Sequence, residues 1–238
     1  MKLLALDTAT AACSVAVWVD GTIRAQCLRP MARGQSEALM PMVVAALAEA
    51  GLAFADLDAV AATVGPGAFT GLRIGLAAAR AMALAAGLPC LGVTTLEAVA
   101  ANVPEAECQG AAILVVLDAK RADLYAQVFS ADLEPLTEPR AVLPADLAGL
   151  LPEGPVVVAG DAAALAVEVL AGAAQGPTGK GSLAATPLTR LFDATRPALT
   201  LASTTPDPTN TSPIPVTATF TEGVTGFAIK DVTVIGGA

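Results

Sequence analysis

Apolar residues run almost unbroken from Leu3 to Thr8 and again from Cys13 to Val19, which predicts two short strands. Asp20-Gly21 suits a tight hairpin, so Thr22 to Cys27 is expected as the third strand of a meander. From Ser36 to about Ala50 the pattern turns helical. Leu39, Met40, Met42, Val43, Val44 and Leu47 cover more than one face of that helix, and Gly51 stands where a C-cap would. A helix apolar on two sides needs two neighbours. Leu57 to Val64, Thr70 to Ala86, Pro89 to Val93 and Thr95 to Asn102 then read as strand, helix, strand and helix, the last capped by Thr94 or Thr95. A meander followed by alternating helices and strands predicts an α/β layer with a mixed sheet.

A similar order begins near Ala111. Strands are expected at Ala112 to Leu117 and Asp123 to Phe129, a short helix at Pro144 to Leu151, and a buried strand at Pro155 to Ala159 ending on Gly160-Asp161. Helical periodicity runs from Ala162 to Leu170 and is expected to stop at Gly172. Pro, Thr, Ser and Gly dominate from Ala173 to Pro215, which reads as linker. Gly176-Pro177-Thr178-Gly179-Lys180 lacks both the first glycine of a phosphate loop and the hydroxyl residue after its lysine. Val216 to Phe220 and Ile229 to Ile235 alternate like strands.

Between the strand at Leu57 and the helix at Thr70 stands the densest signal in the chain, Gly65-Pro66-Gly67-Ala68-Phe69-Thr70-Gly71-Leu72-Arg73-Ile74-Gly75. Gly65 and Gly67 allow a turn closed to other residues, Pro66 fixes one φ, and Thr70 is a natural N-cap. The turn suits either an anion or a second polypeptide. Gly71, Gly75, Ala79 and Ala83 recur every four residues as a small-residue ridge that admits a helix unusually near, either from a partner or from within the domain. Leu72, Leu76 and Leu84 offer a core-facing stripe beside it.

Composition narrows the chemistry. The 238 residues are 55% hydrophobic and 15% charged, enough for a packed core. No apolar run reaches the roughly 20 residues of a membrane span, and Asp7 interrupts any signal-peptide core, so a cytoplasmic chain is expected. Cys13, Cys27, Cys90 and Cys108 sit mostly in apolar runs and read as buried free thiols. With no histidine and no CxxC pair, histidine-based catalysis and His- or Cys-ligated zinc are excluded. A net charge of −9 with scattered basic residues disfavours direct binding to nucleic acid.

Leu4-Ala5-Leu6-Asp7-Thr8-Ala9-Thr10 with Cys13-Ser14-Val15-Ala16, the Gly65 to Gly75 block, and Leu117-Asp118-Ala119 with Arg121, Leu124 and Tyr125 resemble the TsaB family, also called YeaZ, over roughly residues 1–170. The resemblance implies an actin-like, ribonuclease-H-like fold of two lobes, here a first lobe at 1–105 and an incomplete second lobe at 106–172; beyond it, composition and alternation give a linker at 173–204 and a partial immunoglobulin-like β segment at 205–238. It implies a non-catalytic subunit, without catalytic residues, cofactor or metal of its own. The subunit would dock on TsaD, which carries the ATP and metal, with the ATPase TsaE joining the complex and tRNA reached only indirectly. Met40, Val43, Val44, Leu47, Gly71, Gly75, Ala79 and Ala83 would then form the partner interface, and the same face is open to a homodimer.

Three departures from the family pattern stand out. Arg33-Gly34-Gln35-Ser36 occupies the place where many relatives carry a histidine, and Ala9 replaces the glycine that lets a phosphate approach the first hairpin. After about Gly172 the chain leaves the pattern. Pro215 to Phe220 and Val224 to Phe227 are weakly similar to immunoglobulin-like repeats of bacterial adhesins. The alternatives are a small actin-like ATPase or sugar-kinase-like enzyme, and an adhesin module judged by its tail.

Overall fold

β1 (Lys2–Asp7), β2 (Ala12–Val19) and β3 (Thr22–Pro30) form the expected meander, turned by Asp20 and Gly21 at positive φ. β3 runs past Cys27 because its backbone stays paired with β2 as far as Ala12↔Pro30. The computed structural model describes residues 1–104, 108, 110–174, 187–188, 199–203 and 216–220. β4 (Ala59–Thr63) joins β1 in parallel and β5 (Cys90–Val93) joins β4, giving the order β3-β2-β1-β4-β5. On one face Leu4 and Leu6 lie opposite Val17 and Val15. There they meet Leu39, Met42 and Val43 of α1 (Gln35–Glu49) and Ala79 and Met82 of α2 (Phe69–Ala86) in one apolar cluster.

The second sheet repeats this plan. β6 (Ala112–Asp118), β7 (Leu124–Phe129) and β8 (Arg140–Val142) are antiparallel, while β9 (Val156–Ala159) and β10 (Pro187–Leu188) add in parallel on the far side of β6. Its order, β8-β7-β6-β9-β10, is that of β3-β2-β1-β4-β5. α3 (Thr95–Ala100), closed by a Thr94–Glu97 capping box, packs Leu96 and Val99 against Ile113 and Val115. Packing therefore passes to the second sheet at α3, ahead of the boundary drawn at 105. α4 (Ala163–Ala174) covers the other face through Ala163, Ala166 and Leu170, beside a 3-10 turn at Pro144–Leu150. α4 continues through Gly172, where the sequence suggests a stop. One glycine costs a helix only about 1 kcal/mol, and its flanking alanines favour continuation.

Both lobes lie in one compact unit, Met1–Phe192. In the second unit, Asp193–Ala238, β11 (Leu199–Ser203) pairs antiparallel with β12 (Val216–Phe220). β11 falls within the 173–204 stretch read as linker. The expected strand at 229–235, the 176–180 stretch and most of 205–238 lie outside the described residues. Among the cysteines, Cys13 and Cys108 are buried, whereas Cys90 is exposed on edge strand β5.

Candidate functional site

The turn between β1 and β2 is held from several sides. Asp7 Oδ1 accepts hydrogen bonds from Thr63 Oγ1 (2.6 Å) and the Ala9 amide (3.0 Å). The Ala9 carbonyl accepts from the Ala68 amide at 2.7 Å, and the buried Thr8 hydroxyl donates to the Gly71 carbonyl at 2.7 Å. The glycines permit this closeness. A Cβ at Gly71 would collide with the Thr8 carbonyl, and one at Gly75 would stand 2.5 Å from Thr8 Oγ1. Since its amide points to Asp7 and its carbonyl to Ala68, the Ala9 peptide does not fit a phosphate, as the fold family would have it do. The Gly65–Gly75 block is thus a clasp on the first hairpin.

Beside the clasp, a cavity of about 600 Å³ opens between the lobes, with Thr10, Arg33 and Gln35 on one wall and Asp118, Lys120 and Asp161 on the other. Lys120, at φ 58°, turns back to place its amide and ammonium on the Asp118 carboxylate at 2.6 and 2.7 Å. That hydrogen bond lowers the Asp118 pKa and raises that of Lys120. Asp161 Oδ1 accepts from the Asp118 amide at 2.8 Å, yet desolvation in the cleft wall raises its pKa. The Cys13 thiol is pushed up chiefly by burial, with Asp7 adding to the effect, which disfavours the thiolate.

The structure redistributes the residues expected at a partner interface. Gly71, Gly75, Ala79 and Ala83 are buried in the first lobe, and Val43 and Leu47 belong to its core. The reading of the small-residue ridge as an exposed docking surface is therefore corrected: α2 uses that side to reach Thr8 and β4. Met40 and Val44 (64% exposed) remain outside on α1. Leu84, read as core, is 85% exposed, because the helix rests on its small side and turns the opposite side to solvent. There Phe69 (71% exposed) lies under the Arg73 guanidinium, 3.4 Å from the ring centre. Thr70 is not the cap; α2 begins at Phe69 after Ala68. Phe69, Arg73 and Leu84 were missed as surface residues. The signal was available: Phe69, Arg73, Arg80 and Leu84 recur at helical spacing, and charged residues mark the wet side.

Two lobes of one topology, joined across a cleft whose first hairpin is sealed by a glycine clasp, define an actin-like α/β protein without a phosphate-ready first turn. The family model of TsaD, tRNA N6-adenosine threonylcarbamoyltransferase, matches residues 29–183. The chain belongs to that family, and it is similar to proteins named TsaB and YeaZ. It is 41% identical over 126 residues to the tRNA threonylcarbamoyladenosine biosynthesis protein TsaB of Escherichia coli K12, covering 52% of this chain and 53% of that protein. Identity with TsaB of Haemophilus influenzae is 35% over 125 residues, covering 52% of each. A solved structure of YeaZ from Pseudomonas aeruginosa superimposes with a TM-score of 0.63 at 29% identity, covering 71% of this chain and 79% of that one. The chain spans about half the length of the curated relatives it matches.

Proposed function

We propose that this chain is a non-catalytic partner subunit in forming N6-threonylcarbamoyladenosine in tRNA, and that it docks on a TsaD-type protein through the outer face of α1 and α2. The observation that carries the reading is that Met40 and Val44 are exposed on α1 and Phe69 and Leu84 on α2, two helices in contact, with Arg73 and Arg80 also exposed on α2. Large apolar side chains left exposed beside charged ones are what a protein interface presents. The names of the TsaB relatives support the pathway.

In this reading ATP and metal belong to the TsaD-type subunit, and a TsaE-type ATPase joins the assembly. tRNA is reached through those partners, because a chain with 22 acidic and 13 basic residues offers little to phosphates. Without its partner the same face pairs with a second copy through one isologous patch. The cytoplasm is where such a complex works.

Val44→Asp tests the docking face. Its expected effect is at least a tenfold loss of affinity for the TsaD-type protein, about 1.4 kcal/mol, by titration calorimetry. The melting temperature should stay within about 2 °C, since exposed substitutions are usually worth under 0.5 kcal/mol. A folded variant that binds undiminished places the docking surface elsewhere. Tight ATP binding by the isolated chain would favour the ATPase reading instead.

A further inference from the structure

α2 is the element that joins the cleft to the proposed docking face. Thr70, Gly71 and Ile74 in its first turns line the cavity, while Phe69, Arg73 and Leu84 lie on its outer side. Beneath its inner side stands Thr8, 1% exposed, with its hydroxyl on the Gly71 carbonyl and its Oγ1 2.5 Å from where a Cβ on Gly75 would stand. α1 has no such seat. It rests on Leu39, Met42, Val43 and Ala46 in an apolar cluster, where side chains can adjust. Both helices pack on that cluster, and α2 in addition meets a hard stop where Gly71 and Gly75 sit on Thr8.

We propose that Thr8 is a positioning residue that fixes the height of α2 on the first lobe, and thereby makes the outer sides of α1 and α2 into one surface that a rigid partner can match. This inference rests on the docking reading above. The physical reason is complementarity: interface cores pack as densely as protein interiors, so a helix raised by part of an ångström leaves a step that the partner cannot fill. Thr8 touches no partner in this account. It acts through Gly71 and Gly75.

The test compares wild type, Thr8→Ser, Gly75→Ala and the double variant Thr8→Ala/Gly75→Ala, reading affinity for a TsaD-type protein and amide hydrogen exchange along both helices. Thr8→Ser keeps the hydroxyl and should bind within about twofold of wild type. Gly75→Ala pushes α2 off its seat, with at least about a tenfold loss of affinity and faster exchange in the first half of α2 but not in α1. In the double variant the new methyl takes the space of the lost hydroxyl, and affinity should return to within about threefold of wild type. Unchanged binding by Gly75→Ala, or a double variant no better than the single one, overturns the proposal. If Gly75→Ala does not fold, Thr8→Val replaces it: the loss is expected there and not in Thr8→Ser, and equal behaviour of the two overturns the seat. Should wild type itself not bind the TsaD-type protein, the docking reading fails. The exchange pattern then decides the seat alone, for it if the double variant restores protection in α2 and against it otherwise.

Discussion

Asp161 shows how a single carboxyl can work against the fold that holds it. Its pKa is raised by desolvation, so folding favours the protonated form, and stability falls as pH rises from the ordinary carboxylate value through the raised one. Asp118 has the opposite sign. Its pKa is lowered by the bond to Lys120, so its contribution is present above the ordinary value and is lost as pH falls through the depressed one. That pair is well exposed and worth little. Asp161→Asn keeps an oxygen for the Asp118 amide and removes the charge. It should match wild type in melting temperature at low pH and exceed it at pH 7; a variant less stable than wild type at pH 7 would refute the assignment. The first hairpin was legible in part: Ala9 stands where a phosphate-binding turn has glycine, but the hydroxyl-to-carbonyl bond that defines the role of Thr8 spans 63 residues and has no local signature.

At the scale of elements, α2 carries the clearest lesson. Its apolar residues fit two orientations, leucines inward or small residues inward, and the composition of the helix does not choose between them. The choice is made by β1 and β2, whose turn stands where only glycine backbone fits. Ala79 is fully buried, so Ala79→Leu should cost about 1–3 kcal/mol in denaturant titration through overpacking. Leu84→Asp should change stability by under about 0.5 kcal/mol, although the periodicity puts Leu84 in a core stripe. The reverse ordering of the two would restore the leucine-inward helix. α2 is also long and apolar enough to cross a membrane by composition alone, with Arg73 and Arg80 on its length. Docked on β4 and the first hairpin, it is a lobe helix.

The two five-stranded sheets share one strand order, and the second lobe has a close approach of its own. A Cβ on Gly160, at φ 113°, would strike the Val116 carbonyl, much as one on Gly71 would strike Thr8. Gly160→Ala should therefore destabilise the chain by about 1–3 kcal/mol, read as a lower denaturation midpoint. Charge is the other property of the whole. At −9, the chain by itself should show no retention of tRNA in a filter assay at physiological salt. Retention that weakens steeply with added salt would mean that basic residues gather on one surface after all.

The sequence by itself determined the longer strands of both lobes, most helix positions, the repeated order of elements and the absence of histidine chemistry, because period, turn residues and composition are local and survive without a fold; the short strands at Arg140–Val142, Pro187–Leu188 and Leu199–Ser203 lacked such a pattern. Tertiary structure alone decided which side of α2 faces inward, that α3 serves the second sheet, and that Asp118, Lys120 and Asp161 meet Arg33 across a cleft. Those outcomes depend on contacts between residues far apart in the chain. A small residue is equally at home against a partner or against its own core, and only the position of Thr8 beneath Gly71 and Gly75 shows that here it is the core.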